Sequence, residues 1–335
     1  MDAYRHCAAC ESTVQAAERI FRVSIVMTEK KTQGLVAIAG AGLMGCGIAC
    51  RFALAGFEVL VYDSDPSAPS RTKHHCHAVY QEMDQAGVIT VEQARVAESM
   101  IRHVESPVEF GKAELVLEAI VESVAAKRAL YAELEAVLPQ TTILASNTSG
   151  FPPDLLSEQM QHRDRFLIAH FWNPPHLIPL VEVVPGSDTA PAVVERVMAL
   201  LQAIHAEPVA LKAAIAGFIG NRLQFAVLRE ALHIVRSGVA TPAEVDAVMK
   251  ASLGRRYSIV GPLESADLGG LKTLLSIAEH LMPQLAKDED VLELMRERVD
   301  QGDVGVATGQ GFYRWDQDRI EKIQALRRRQ LAATD

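Results

Sequence analysis

Two apolar, strand-like runs in this chain end on side chains that can move or bind a proton. Phe166–Ala169 delivers His170, followed by Phe171-Trp172-Asn173-Pro174-Pro175, and Thr142–Ala145 delivers Ser146-Asn147-Thr148-Ser149. Imidazole titrates close enough to neutrality to take the hydroxyl proton of an alcohol as hydride leaves, and to return it in the reverse direction. Glu182 is the second candidate, because it interrupts the apolar run Leu180-Val181-Glu182-Val183-Val184. A buried carboxylate without a partner is costly, so Glu182 should have one. A carboxylate beside a histidine would fix its tautomer and favour the imidazolium. Taken singly, each residue also has a plainer reading: His170 as a rim residue, Glu182 as an edge-strand acid facing solvent.

A nucleotide site is written further upstream. Gly40-Ala41-Gly42-Leu43-Met44-Gly45 fits G-x-G-x-x-G, a weak pattern when met alone. Here it follows the strand-like run Leu35–Ala39 and opens a helix expected over Met44 to about Ala55. In that setting one glycine makes the tight turn, one lets a pyrophosphate approach the backbone, and one permits close helix packing. The free N–H groups of the helix start then favour phosphate. Asp63, eighteen residues past Gly45, ends the next strand, Val59–Tyr62, and is placed to accept from both hydroxyls of a ribose. With no arginine beside it in the sequence, its charge repels a 2′-phosphate, so NAD is expected rather than NADP.

These residues need a frame that gathers strand ends. After the first strand-helix-strand unit come a polar, helix-prone stretch (Pro66 to Met100), a strand (Glu114–Ala119), a helix (Val124–Val137), and strands at Thr142–Ala145, Phe166–Ala169, Leu180–Val184 and Val209–Leu211. That alternation predicts an α/β domain with a doubly wound, mostly parallel sheet, whose ligands gather beyond the carboxyl ends of the strands. From Gly217 the texture turns helical, with segments at Gly217–Val235, Pro242–Ser252, Leu271–Leu285, about Val291–Val299 and after Trp315. The expected division is an N-terminal extension at 1–26, a nucleotide-binding domain at 27–212 and a smaller all-α domain at 213–335.

Bulk properties narrow the class. The chain has 335 residues, 49% of them hydrophobic, enough for two cores. A formal charge of −9 speaks against nucleic acid. Thr32 to Cys50 carries no charge, but its glycines suit a strand-to-helix turn better than a membrane span. Five cysteines form no disulfide framework and point to a reducing, cytoplasmic setting. His6, Cys7 and Cys10 lack a second ligand pair, so no metal is expected.

The blocks Gly40–Ala49, Leu117–Glu122, Ala145–Ser149, His170–Pro174, Leu180–Val184, Gly217–Arg222 and Gly261–Glu264 resemble, in order and spacing, the L-3-hydroxyacyl-CoA dehydrogenase family. The resemblance covers about Leu35 to Trp315. It implies a Rossmann-type NAD domain followed by a helical domain that commonly makes a dimer contact, with the active site in the cleft between them. By resemblance His170 is the general base, Glu182 its carboxylate partner, and Ser146 and Asn221 hydrogen-bond around the reacting oxygen. Gly40, Gly42, Leu43, Met44, Gly45, Asp63, Glu118, Ser123 and Ser146 fall at cofactor positions.

Three departures stand out. Val306-Ala307 replaces a lysine that reaches the cofactor in relatives, and Ser123 replaces an asparagine. The segment that is lysine-rich where relatives bind CoA reads Arg71-Thr-Lys-His-His-Cys-His77 and then turns acidic. The expected activity is oxidation of an L-3-hydroxyacyl-CoA such as 3-hydroxybutyryl-CoA. One alternative keeps the chemistry on a CoA-free hydroxy compound of the carnitine, gulonate or pyridine-acid kind. Another is a crystallin-like structural protein, which the full set of Ser146, His170, Glu182 and Asn221 opposes.

Overall fold

A computed structural model describes residues 32–287 and 289–332. The extension at 1–26, with His6, Cys7 and Cys10, lies outside them. Contacts divide the described residues into two units: 32–218 together with 325–332, and Ile219–Gln324. The contact division falls between Phe218 and Ile219, and the end of the last helix groups with the first unit. Among the described residues no helix is long and apolar enough to cross a membrane.

The first unit is built on one sheet. Its strands are β1 (Leu35–Ala39), β2 (Glu58–Tyr62), β3 (Ile101–His103), β4 (Leu115–Glu118), β5 (Ile143–Ser146), β6 (Phe166–Phe171), β7 (Leu180–Pro185) and β8 (Glu207–Ala210), in the order β3-β2-β1-β4-β5-β6-β7-β8. All neighbours pair in parallel except β6 and β7. Central strands such as β4 and β6 are buried along their whole length, as expected where helices cover both faces. Those helices are α1 (Leu43–Leu54), α2 (Ala68–Gln85), α3 (Val91–Ser99), α4 (Val124–Val137), α5 (Pro153–Ser157) and α6 (Pro191–Ala203). Two apolar clusters result, one centred on α1 with Ile38, Phe52 and Leu117, the other on Tyr131, Phe110 and Phe166. The three-residue β3, Ile-Arg-His, was not foreseen, being too short and polar for an apolar period to reveal it.

The second unit is helical, as expected: α7 (Gly220–Arg236), α8 (Pro242–Ala251), α9 (Leu253–Arg256), α10 (Pro262–Gly269), α11 (Leu271–Leu281), α12 (Glu293–Asp300) and the first half of α13 (Gln317–Ala332). Thr241 closes a capping box with Glu244, which sets the start of α8. Tyr313 donates to Asp246 Oδ2 at 2.7 Å, and the Arg319 guanidinium lies over the rings of Tyr313 and Trp315, tying the C-terminal segment to α8. The helix expected from Gly217 begins at Gly220, because Gly217 and Phe218 both hold positive φ (75° and 51°). Phe218 is instead buried against Ile168, Val184 and Leu211.

Candidate active site

The turn between β1 and α1 is shaped by contacts only glycine permits. Gly40 has φ +111°, and a Cβ there would lie 2.5 Å from the Ala119 carbonyl oxygen. A Cβ on Gly45 would come within 1.9 Å of the Gly40 oxygen, so α1 can sit this close to β1 only without one. At Gly42, by contrast, a Cβ would meet nothing within 4 Å, and Leu43 beside it is exposed. Gly42 therefore leaves open space in front of the first turn of α1, where free N–H groups and the positive end of the helix dipole face outward. Met44 packs partly against the core. This cradle fits a dinucleotide pyrophosphate.

Asp63, just past β2, accepts the Ala41 N–H at 2.8 Å and the Asp65 N–H at 3.0 Å. One expectation is corrected here. An arginine does lie beside it: Arg71, from the first turns of α2, brings Nη2 to 3.3 Å of Asp63 Oδ2 and Nη1 to 2.6 Å of Asp65 Oδ2. The sequence hides this pair because it is made by α2 folding back over the turn. The Arg71 guanidinium holds the Asp65 carboxyl down at about 2.

At the ends of β4 and β5 the polar residues converge on one buried carboxylate. Glu118 and Ser146 are register partners. Ser146 donates to Glu118 Oε2 at 2.7 Å and Tyr131 donates to the same oxygen at 2.6 Å. Lys127 Nζ and the Ile120 N–H donate to Oε1, at 2.6 and 2.8 Å. These donors match the roughly four acceptor positions of a carboxylate. A cofactor group reaching the Glu118 carboxylate would have to displace one of them, so the visible work of Glu118 is to orient Ser146. Burial and the adjacent Glu118 charge push the Tyr131 hydroxyl well above its ordinary value. Ser123 accepts the Ala126 N–H at 3.4 Å and so caps α4. Lys127 and Tyr131 were missed in the sequence; their only signal was a shared face of α4, at spacing i and i+4, behind a strand that ends in an acid.

His170 and Glu182 stand directly opposite each other across the antiparallel β6–β7 pair. Nδ1 of His170 lies 3.0 Å from Glu182 Oε2, which also accepts the Trp172 Nε1–H at 3.3 Å. His170 is only 6% exposed, its ring flanked by Phe218 and Trp172 at centroid distances of 5.5 and 5.8 Å. With Nδ1–H donating to the carboxylate, Nε2 is the basic atom of the ring, and the carboxylate stabilises the imidazolium that forms when Nε2 takes a proton. The partner expected for Glu182 is thus His170. The Asn147 side chain accepts the Phe171 N–H at 2.8 Å, joining the ends of β5 and β6. Arg51 of α1, also unforeseen, binds the carbonyls of Pro175, Ile178 and Ile204 and so fixes the loop after β6. Asn221 lies in the first turn of α7, in the second unit.

The family model for the 3-hydroxyacyl-CoA dehydrogenase NAD-binding domain matches residues 35–214, and that for the family's C-terminal domain matches 217–315. The chain belongs to the 3-hydroxyacyl-CoA dehydrogenase family. Its members are NAD-dependent oxidoreductases, and this chain is one. It is 32% identical over 298 residues to 5-formyl-3-hydroxy-2-methylpyridine 4-carboxylate 5-dehydrogenase of Mesorhizobium japonicum, covering 89% of this chain and 96% of the relative. It is 35% identical over 283 residues to the probable 3-hydroxybutyryl-CoA dehydrogenase of Bacillus subtilis, covering 84% and 97%. Among solved structures, a 5-formyl-3-hydroxy-2-methylpyridine 4-carboxylic acid 5-dehydrogenase, described as an NAD+-dependent dismutase, superposes with a TM-score of 0.81 at 30% identity, covering 89% of this chain and 96% of that one. NAD+, when bound, supplies the hydride acceptor.

Proposed function

We propose that this chain uses NAD+ to oxidise a CoA-free hydroxy acid, with His170 as general base, Glu182 as its orienting carboxylate, and Ser146 and Asn221 binding the reacting oxygen. The observation that carries the choice of substrate class is the charge of α2, the segment expected to meet CoA. Its permanent cations are Arg71 and Lys73. Arg71 is engaged by Asp63 and Asp65, and Glu82 is bound to His176 at 3.0 Å, so Lys73 alone is left to grip nucleotide phosphates. Each charge-assisted bond to a phosphate is worth about 1.5–3 kcal/mol, which a CoA-binding surface would not forgo. The pyridine-carboxylate enzyme, whose named substrate carries its own carboxylate, is a relative matched over nearly its full length.

A CoA thioester is the second reading, favoured by the near-complete match to the Bacillus subtilis relative. Initial rates with NADH decide between them, comparing acetoacetyl-CoA with acetoacetate, dehydrocarnitine and pyridine aldehyde acids at low and moderate salt. A free acid is expected to win in kcat/KM by about tenfold or more, equivalent to about 1.4 kcal/mol in transition-state binding. Higher kcat/KM for acetoacetyl-CoA at both ionic strengths would reinstate the thioester.

The working form we propose is a homodimer in a reducing, cytoplasmic setting. Support comes from Phe225 and Leu223 on α7 and Leu271 and Leu275 on α11, large apolar side chains that stand half exposed or more. Three free buried thiols, Cys46, Cys50 and Cys76, suit the reducing setting. Light scattering should give twice the chain mass, and Leu275→Glu should move the protein toward monomer. A wild-type monomer at micromolar concentration would refute the dimer.

A further inference from the structure

Around Asp63 the structure holds more charge than a simple ribose acceptor requires. The Asp63 carboxylate offers about four acceptor positions. The N–H groups of Ala41 and Asp65 and Nη2 of Arg71 take three of these. The remaining edges of the guanidinium meet Asp65 Oδ2 at 2.6 Å, Ser67 Oγ at 3.1 Å and the Ala41 carbonyl at 3.4 Å. Arg71 therefore lies against the same turn that carries the open phosphate cradle at Gly42. A ribose diol brings two donors and finds one open position on Asp63. One hydroxyl takes that position, and Arg71 keeps both carboxylates as its counter-ions.

A ribose 2′-phosphate meets a different balance. It brings about −1.5 to −2 charges and needs a guanidinium, which is available beside the ribose acid but already shared by two carboxylates. We propose that Arg71 is a cofactor-discriminating residue: Asp63 and Asp65 hold its guanidinium as their own counter-ion, and NADP is rejected because this acid pair outcompetes the 2′-phosphate for it. Rejection then does not arise from lack of a cation. The proposal rests on Asp63 receiving the adenosine ribose.

Binding of NADH and NADPH to the full chain, without substrate, tests it by fluorescence titration in the wild type, Asp63→Ser, Asp65→Asn and each of those combined with Arg71→Ala. Asp63→Ser should tighten NADPH by about tenfold or more, and Asp65→Asn by less in the same direction. Adding Arg71→Ala should return NADPH affinity to the wild-type level in both backgrounds. The gain should shrink as salt rises. NADPH binding that is equally tight with and without Arg71 would overturn the proposal, as would no gain in either single variant. If Asp63→Ser fails to fold, the Asp65→Asn pair decides alone, since it leaves the Asp63 bond to Ala41 in place. Unchanged NADH affinity in a folded Asp63→Ser protein would instead remove Asp63 as the ribose acceptor, a failure of the underlying reading that is separable from the behaviour of Arg71.

Discussion

Replacing His170 with alanine is expected to lower kcat by about 10²–10⁴-fold while NADH binding stays close to wild type, the range for loss of a general base. His170 sits at the end of β6 with Nδ1 committed to Glu182, so removing it deletes the basic atom without touching the glycine turn of α1. Its ring is packed between Phe218 and Trp172, so a modest drop in melting temperature will accompany the change. Glu182→Gln should impair turnover less, because an amide can still accept from Nδ1 but no longer stabilises an imidazolium. Rates read beside an NADH fluorescence titration separate chemistry from binding. Near wild-type turnover in His170→Ala would falsify the mechanism.

Lys127→Met should cost about 3–5 kcal/mol of stability, the penalty for stripping one partner from a buried ion pair. Lys127 and Glu118 are each 1% exposed and 2.6 Å apart. Without the ammonium, the Glu118 carboxylate keeps its bonds from Tyr131, Ser146 and Ile120 but has no adjacent positive charge in an interior that water does not reach. Glu122, at 3.3 Å from Lys127, does not share the burial, being exposed in the turn before α4, so the cost falls on Glu118. Adding Glu118→Gln to Lys127→Met should recover part of the loss, since a neutral pair carries no uncompensated charge. Urea unfolding of the single and double variants measures both effects. A Lys127→Met protein within about 0.5 kcal/mol of wild type would show that the ion pair does not anchor this cluster.

The parallel sheet and the cofactor turn were legible because their signals are local: unbroken apolar runs, and glycines between a strand and a helix. Glu182 was legible by a negative signal, an acid in a run that should be buried. Its partner followed only from strand register, since nothing in a spacing of twelve residues says that His170 and Glu182 face each other. Arg71 beside Asp63 and Lys127 beneath Glu118 escaped notice for one common reason. In each, a helix returns over the end of its own preceding strand, and the contact depends on the angle of return, which residue types do not encode. The late start of α7 depended likewise on two successive positive φ values, one of them at a phenylalanine.

The reversed pairing of β6 and β7 makes the His170–Glu182 dyad conditional on strand register. Side chains along a strand alternate between faces, so a shift of one residue in that pairing would set His170 against a valine and send it and Glu182 to opposite faces of the sheet. A chain mispaired in this way could still be collapsed and helical, yet it would have no basic dyad. Turnover recovered after refolding from denaturant would then count the molecules whose strands found their proper mates, a quantity that circular dichroism, which sums over backbone content, does not distinguish.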